Sequence, residues 1–240
     1  MPTTRLALPN GNRLLGALPG GEFRRLQPQL KEVNLTFGEI VYEPGATIRY
    51  VYFPSNSIVS LLSATDQKAT LEVGMIGNEG MTGVSVIMGV NQSRPRALVQ
   101  GTGTALRMES AALRRESVRL EYFHQLLLRY AHSLMTQMSL GLACNRFHKL
   151  EDRLARWLLM TQDRIGSDEF RMTQEFMSNM LAVRRERVNK VAGNLQKRNL
   201  IKYTRGHVTI LNRPGLENGA CYCYGAMKQE SDAGLRNGKQ

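Results

Sequence analysis

The chain has 240 residues, 42% hydrophobic and 22% charged, with a formal net charge of +12; this excludes a disordered or fibrous polymer and supplies core for one large domain or two ordinary ones. No apolar run approaches the roughly 20 residues that span a bilayer, and the start, MPTTRLALPNGNRLLGALPGG, lacks the apolar stretch and cleavage site of a signal peptide. A cytoplasmic protein with a polyanionic partner and no membrane is expected.

The first hundred residues read as short strands. EIVYEPG (39–45) ends on a Glu-Pro-Gly turn and YVYF (50–53) runs into Pro54; SIVSLL (57–62), ATLEVGMIG (69–77), RALVQG (96–101) and TALRM (104–108) follow. Such runs, broken by Gly, Pro, Asn and Asp, predict an antiparallel β-sandwich or jelly roll over residues 1–108. The texture changes after Met108: from Glu109 to Asn145 there is no proline, and glycine occurs only at Gly141. One long helix is expected over 109–146. Leu127, Ala131, Leu134, Met138 and Gly141 alternate steps of four and three, the seam of a helix pair. Phe123, Leu126 and Tyr130 widen the stripe. The small Ala131 and Gly141 permit close approach, so the five seam residues are the candidate dimerisation surface of a homodimer.

A further helix, HKLEDRLARWLLMTQDRI (148–165), carries Leu150, Leu154, Trp157 and Leu158 on one stripe, with Gly166 as its stop. Charge concentrates from here on. Residues 149–213 hold fourteen Lys/Arg against seven Asp/Glu, so more than half of the positive excess lies in little over a quarter of the chain. Thr173 suits an N-cap, followed by Gln174 and Glu175 in the first turn. Phe176, Met177, Met180 and Leu181 form a buried face, and Ala182-Val183 leaves room for a tight turn. The next stretch, from about Arg184 to Arg198, buries Val188, Val191, Ala192 and Leu195 and turns its charge outward. Two short helices, a turn and a basic second helix make a helix-turn-helix. LIKY (200–203) and HVTIL (207–211) around Thr204-Arg205-Gly206 read as a β-hairpin wing, giving an α+β protein with a winged helix-turn-helix over 147–213 and a tail over 214–240.

The basic helix has the chemistry of duplex recognition. Its outer line is Glu186, Lys190, Gly193 and Lys197, flanked by Arg187, Asn189 and Asn194, with Arg185 at the end that enters the major groove first. Arginine forks onto guanine, and glutamate accepts from the cytosine amino group. Arg184, Arg187, Lys197 and Arg198 suit phosphates, as does Arg205 in the wing. Gly193 costs about 1 kcal/mol in a helix interior, which close packing on the first helix or close approach of DNA would explain.

The order sandwich, long helix, winged helix-turn-helix resembles the Crp–Fnr superfamily of bacterial transcription regulators. MTQEFMSNMLAVRRERVNKVAGNLQKRNLI (172–201) carries the resemblance most specifically. It implies base reading by Arg185, Glu186 and Lys190, where an arginine is more usual at the last, and a phosphate contact from Thr173. It also implies a cyclic-nucleotide-binding type of β-roll, a dimer on a two-fold related double-stranded DNA site, and RNA polymerase as a further partner. In EGMTGVSVIMGVNQSRPRALVQ (79–100), however, Val84 stands where the ribose-holding Glu follows Gly83 in nucleotide-binding members. Pro95 occupies the place of the phosphate-holding Arg. Gly83, Arg94 and Arg96 are the effector candidates, with ordinary surface charge the favoured reading of the two arginines. Valine accepts no hydroxyl proton, so no cyclic nucleotide is expected.

No other cofactor is expected. The three cysteines are Cys144, Cys221 and Cys223, and the absence of any before Cys144 excludes the family's iron–sulfur chemistry. Cys144 and His148 lie four apart on a helix and read as a buried thiol beside a surface histidine, while Cys221-Tyr222-Cys223 alone lacks the four ligands of a zinc site. No metal is expected from either pair. An enzyme of cupin type would need a histidine cluster on the strands, and residues 1–123 contain no histidine. The remaining alternative is a non-specific nucleic-acid binder using the same basic helix; single-strand readers present stacking aromatics, and this helix has none.

Overall fold

The computed structural model describes residues 11–64 and 70–236. The leader reading falls largely on residues 1–10, outside this range. Two short helices come first, α1 (Arg13–Gly16) and α2 (Gly20–Leu26). Seven strands follow: β1 (Lys31–Leu35), β2 (Ile40–Tyr42), β3 (Tyr50–Pro54), β4 (Ile58–Ala64), β5 (Thr70–Ile76), β6 (Arg96–Gly101) and β7 (Gly103–Glu109). They form two antiparallel sheets, ordered β1-β7-β3 and β2-β6-β4-β5. Apolar residues from both inner faces, among them Leu35, Phe53, Val59, Ile76, Val99 and Met108, meet in one core. This is the predicted sandwich.

The expected single long helix is two: α3 (Ser110–Arg119) and α4 (Glu121–Phe147). Leu120 between them is extended and buried. The Glu22 carboxylate from α2 accepts from the Phe123 amide at 2.9 Å, serving an orphan donor of α4's first turn. That partner lies about a hundred residues away, so no local pattern announces the break.

The candidate seam faces inward. Leu127 and Leu134 belong to the sandwich core, Met138 packs beside it, Ala131 is buried and Gly141 half-buried. The exposed apolar line of α4 lies one residue further on, at Leu128, Met135 and Leu142, which are 41%, 53% and 60% exposed. Both lines repeat every seven residues, and sequence alone does not say which one the chain covers with its own sheet.

Next come α5 (Leu150–Ile165), β8 (Glu169–Arg171), α6 (Gln174–Leu181), α7 (Arg185–Lys197), β9 (Ile201–Thr204) and β10 (His207–Ile210). Gly166 ends α5 in the left-handed region, φ +72°, as its position predicts. The hairpin gains an unforeseen third strand, giving the order β8-β10-β9. The expected tail is two more helices, α8 (Arg213–Asn218) and α9 (Cys223–Leu235). Asn212 caps α8 and Pro214 sits in its first turn, where a missing amide costs nothing. Helix α9 packs along α4: Gly234 reaches Ser133 and the Arg129 carbonyl, and Arg13 of α1 pairs with Asp232. None of the helices among the described residues is long and apolar enough to cross a membrane.

A polar line along α5 joins it to the outer face of the second sheet. Trp157 Nε1 donates to Glu72 at 2.8 Å, Gln100 Nε2 donates to Thr161 at 3.0 Å, and Arg164 Nε donates to Glu79 at 2.9 Å. Glu72 also accepts from Ser60 at 2.7 Å. Its stem is half-buried but its carboxyl is enclosed, and burial raises its pKa above the ordinary value. The native state therefore disfavours the charged form. Its contribution is most favourable below the unfolded-state pKa and declines as pH rises through the raised one. Glu72→Gln removes that decline. Thermal unfolding at stepped pH is expected to show wild type losing ground to the variant from acid to neutral; parallel profiles would mean the enclosed charge is not felt.

Candidate nucleic-acid interface

The helix-turn-helix is built by local rules. Thr173 Oγ1 accepts from the Phe176 amide at 3.1 Å, capping α6 as its position predicts. Ala182 ends α6 in the left-handed region at φ +50°, and the Val183 amide returns to the Ser178 carbonyl. This compact turn sets α7 across α6. Val188, Ala192 and Leu195 are buried, fixing the rotation of α7 about its axis. That rotation leaves Arg184, Arg185, Glu186, Arg187, Asn189 and Lys190 exposed, with Lys197 and Arg198 exposed at the far end.

Several of these side chains are already held. Arg185 Nε donates to Gln174 Oε1 at 3.2 Å, linking the leading arginine to the first turn of α6. Asn194, a predicted contact, is half-buried and donates to Glu151 at 3.1 Å; it serves the scaffold in this structure. Arg198 pairs with the same carboxylate at 2.9 Å while remaining half exposed. Glu151 and Gln174 were not foreseen, because their partners lie 43 and 11 residues away in the chain. Nothing lies within 4 Å of where a Gly193 Cβ would stand, so packing within the chain does not account for that glycine.

The wing turn places Arg205 and Gly206 at φ +50° and +80°, the two left-handed positions of a tight hairpin. The Gly206 carbonyl accepts from the Met172 amide at 2.6 Å. Gly206 thus stands beside the capped start of α6, close to Thr173, and the neighbouring Arg205 is exposed.

The effector candidates lie elsewhere and do not converge. Gly83 has φ +73°, and a Cβ there would come within 3.0–3.3 Å of Val51, Ile48 and Tyr42. Sandwich packing requires that glycine. Val84 is half-buried against the core, Arg94 is exposed, and Arg96 is paired at the surface with Glu43 at 2.8 Å.

Where the sequence reading kept the Cys144–His148 and Cys221–Cys223 pairs apart, the fold brings them together. Cys144 and His148 from the end of α4 meet Cys221 and Cys223 from the start of α9, and all four ligand atoms lie within 4.8 Å of one another. Cys144 and Cys221 share a hydrogen bond at 3.4 Å. That bond, with the Arg156 guanidinium nearby, holds the Cys144 thiol below its ordinary pKa although burial opposes the shift. The signal in the sequence was two incomplete ligand pairs; no spacing rule joins them across 77 residues.

Residues 152–218 match a family model described as the Crp-like helix-turn-helix domain. No curated protein matches the sequence. Among solved structures, FixK2 from Bradyrhizobium japonicum aligns with TM-score 0.68 at 13% identity, covering 80% of this chain and 98% of its own. A CRP-family transcriptional regulator from Thermus thermophilus aligns with TM-score 0.64 at 19% identity, covering 78% and 96%. The c-di-GMP-responsive global regulator CLP of Xanthomonas campestris aligns with TM-score 0.62 at 14% identity, covering 80% and 99%. At such identities the likeness speaks for the fold. The chain thus has the Crp–Fnr fold, and its residues 152–218 form a Crp-like helix-turn-helix domain.

Proposed function

We propose that the protein is a sequence-specific DNA-binding transcription regulator that acts as a homodimer on a two-fold symmetric duplex site. The observation that carries this reading is the orientation of α7: its apolar stripe is locked inward and Arg184, Arg185, Glu186, Arg187, Asn189 and Lys190 all point out. Arg185, Glu186 and Lys190 read base edges. Thr173, Arg184, Arg187, Arg198 and Arg205 hold phosphates. The open space over Gly193 suits close approach of the duplex.

In this reading residues 1–108 are the sensor or a vestigial sensor, 109–146 couple it to the DNA-binding part, and α8 and α9 extend that part beyond 213. The pairing surface is the exposed line Leu128, Met135 and Leu142, in place of the inward-facing seam. A parallel pair would set two copies of α7 in successive major grooves about 34 Å apart. RNA polymerase is a further partner by resemblance, and the site works in the cytoplasm.

Selection of binding sites from random duplex DNA tests the proposal. Enrichment of a two-fold symmetric sequence is expected; salt-sensitive binding to every duplex, with and without added nucleotides, would favour the non-specific alternative. Arg185→Ala is expected to reduce preference for the selected site over scrambled duplex by about 1–3 kcal/mol, roughly 5- to 150-fold. Competition binding reads this directly. An unchanged preference would take Arg185 out of the reading face.

A further inference from the structure

We propose that Cys144, His148, Cys221 and Cys223 form a closed four-coordinate site for a zinc ion. The geometry fits first. A tetrahedral ion with Zn–S near 2.3 Å and Zn–N near 2.0 Å holds its sulfurs about 3.8 Å apart and sulfur and nitrogen about 3.5 Å apart. Here Cys144 and Cys221 Sγ are 3.4 Å apart, and Cys223 Sγ lies 3.6 Å from His148 Nδ1. The remaining separations all fall under 4.8 Å. A cluster with bridging sulfides spreads its cysteines further than this, and a disulfide would leave Cys223 and His148 without a part.

The ligands come from two elements that each supply two. Cys144 and His148 are one helical turn apart at the end of α4, and Cys221 and Cys223 flank Tyr222 at the start of α9. All three cysteines are buried and the histidine is half-buried, so the set is enclosed by protein. Four protein ligands leave no open position, as in structural rather than catalytic zinc sites.

Charge is the independent argument. Arg153 and Arg156 of α5 are both buried, and neither forms a direct ion pair with a carboxylate among the described residues, Glu72 acting on Arg156 only at longer range. Arg153 donates to the Leu181 carbonyl, Arg156 reaches the sulfurs of Met160 and Met227 and hydrogen-bonds Cys144, and the Nε of each is unpartnered. Buried guanidinium groups need an anion nearby. Both interact electrostatically with Cys144 and Cys221. A zinc ion bound by three thiolates and a neutral imidazole carries a net charge of −1. Binding releases the three thiol protons to solvent and leaves that anion beside the two arginines.

The ion would fasten the last helix to the joint where α4 passes into α5. Metal analysis of the full chain, purified without a chelating tag and desalted after exposure to zinc, is expected to find about one zinc per chain. Cobalt loading of the metal-free protein is expected to give the intense visible bands of tetrahedral thiolate coordination, lost in Cys221→Ser and weakened in His148→Ala. Chelation is expected to lower the melting temperature and expose three titratable thiols. Wild-type protein that retains no zinc and gives no thiolate–cobalt band would overturn the site, as would a Cys144–Cys221 disulfide in the freshly purified chain. Because wild type supplies the metal measurement, a variant that fails to fold does not decide the outcome. Metal content is read without DNA, so its outcome is independent of the regulator reading.

Discussion

Glu79→Gln is expected to lower stability by about 3–5 kcal/mol, measured by urea unfolding near neutral pH. The ion pair it breaks is one of the most enclosed in the molecule, with both side chains 8% exposed. Arg164 Nε and Nη2 converge on one carboxylate oxygen of Glu79 at 2.9 and 2.8 Å, and Nη1 donates to the Met160 carbonyl at 3.0 Å. The stem of Arg164 packs directly on Gly77, where a Cβ would lie 2.5 Å from its Cγ. Glutamine keeps the shape and removes the compensating charge, so a buried cation is left with neutral acceptors. Replacing both residues by methionine restores neutrality, and that double variant is expected to recover most of the loss. Since a domain's net stability is about 5–15 kcal/mol, the single change alone would bring the joint between sheet and α5 close to opening. A Glu79→Gln protein with wild-type stability would show that the pair is solvated in solution.

The second large effect concerns self-association. Met135→Lys is expected to weaken the proposed dimer by about 10- to 100-fold, read by sedimentation equilibrium. Burying a Met or Leu side chain is worth about 1.5–3 kcal/mol, and a two-fold interface buries each residue twice. Met135 is 53% exposed before pairing, so losing two copies costs about 1.5–3 kcal/mol, roughly a 10- to 100-fold change in association constant. Lysine adds like-charge repulsion across the axis. The corresponding change at the inward line, Leu134→Lys, is expected to unfold the chain, because Leu134 is 4% exposed and lies in the sandwich core. The pair of variants separates pairing from folding. Were Met135→Lys as dimeric as wild type, the partner surface would lie away from this face of α4.

The sequence was most informative where structure is fixed by neighbours in the chain. Thr173 capping α6, Gly166 stopping α5 and the stripe Val188, Ala192, Leu195 all act within a turn or two, and all stand as expected. Six strands were likewise marked by their bounding turns. What escaped depends on distant partners. Strand β1 is mostly exposed and is made a strand by its pairing with β7, Lys31 opposite Arg107. The break at Leu120 rests on Glu22, and the inward turn of Leu127 and Leu134 on the sheet they cover. Pro214-Gly215 read as the end of structure, whereas proline there starts α8. The outward charges of α7 were legible from periodicity, but the holding of Asn194 and Arg198 by Glu151 was not.

The antiparallel seat of α9 on α4 also bears on synthesis. A ribosome delivers this chain from the N-terminus, so the sandwich and the helix-turn-helix are complete before the strip of α4 around Ser133 and Cys144 has its cover. Until residues 221–235 leave the exit tunnel, that strip is open to any chain folding nearby. A nonsense mutation in the codons for residues 221–235, which would spare every described strand and the whole of α7, would therefore release a protein with a permanently uncovered flank, a substrate for quality-control proteases rather than a slightly shortened chain.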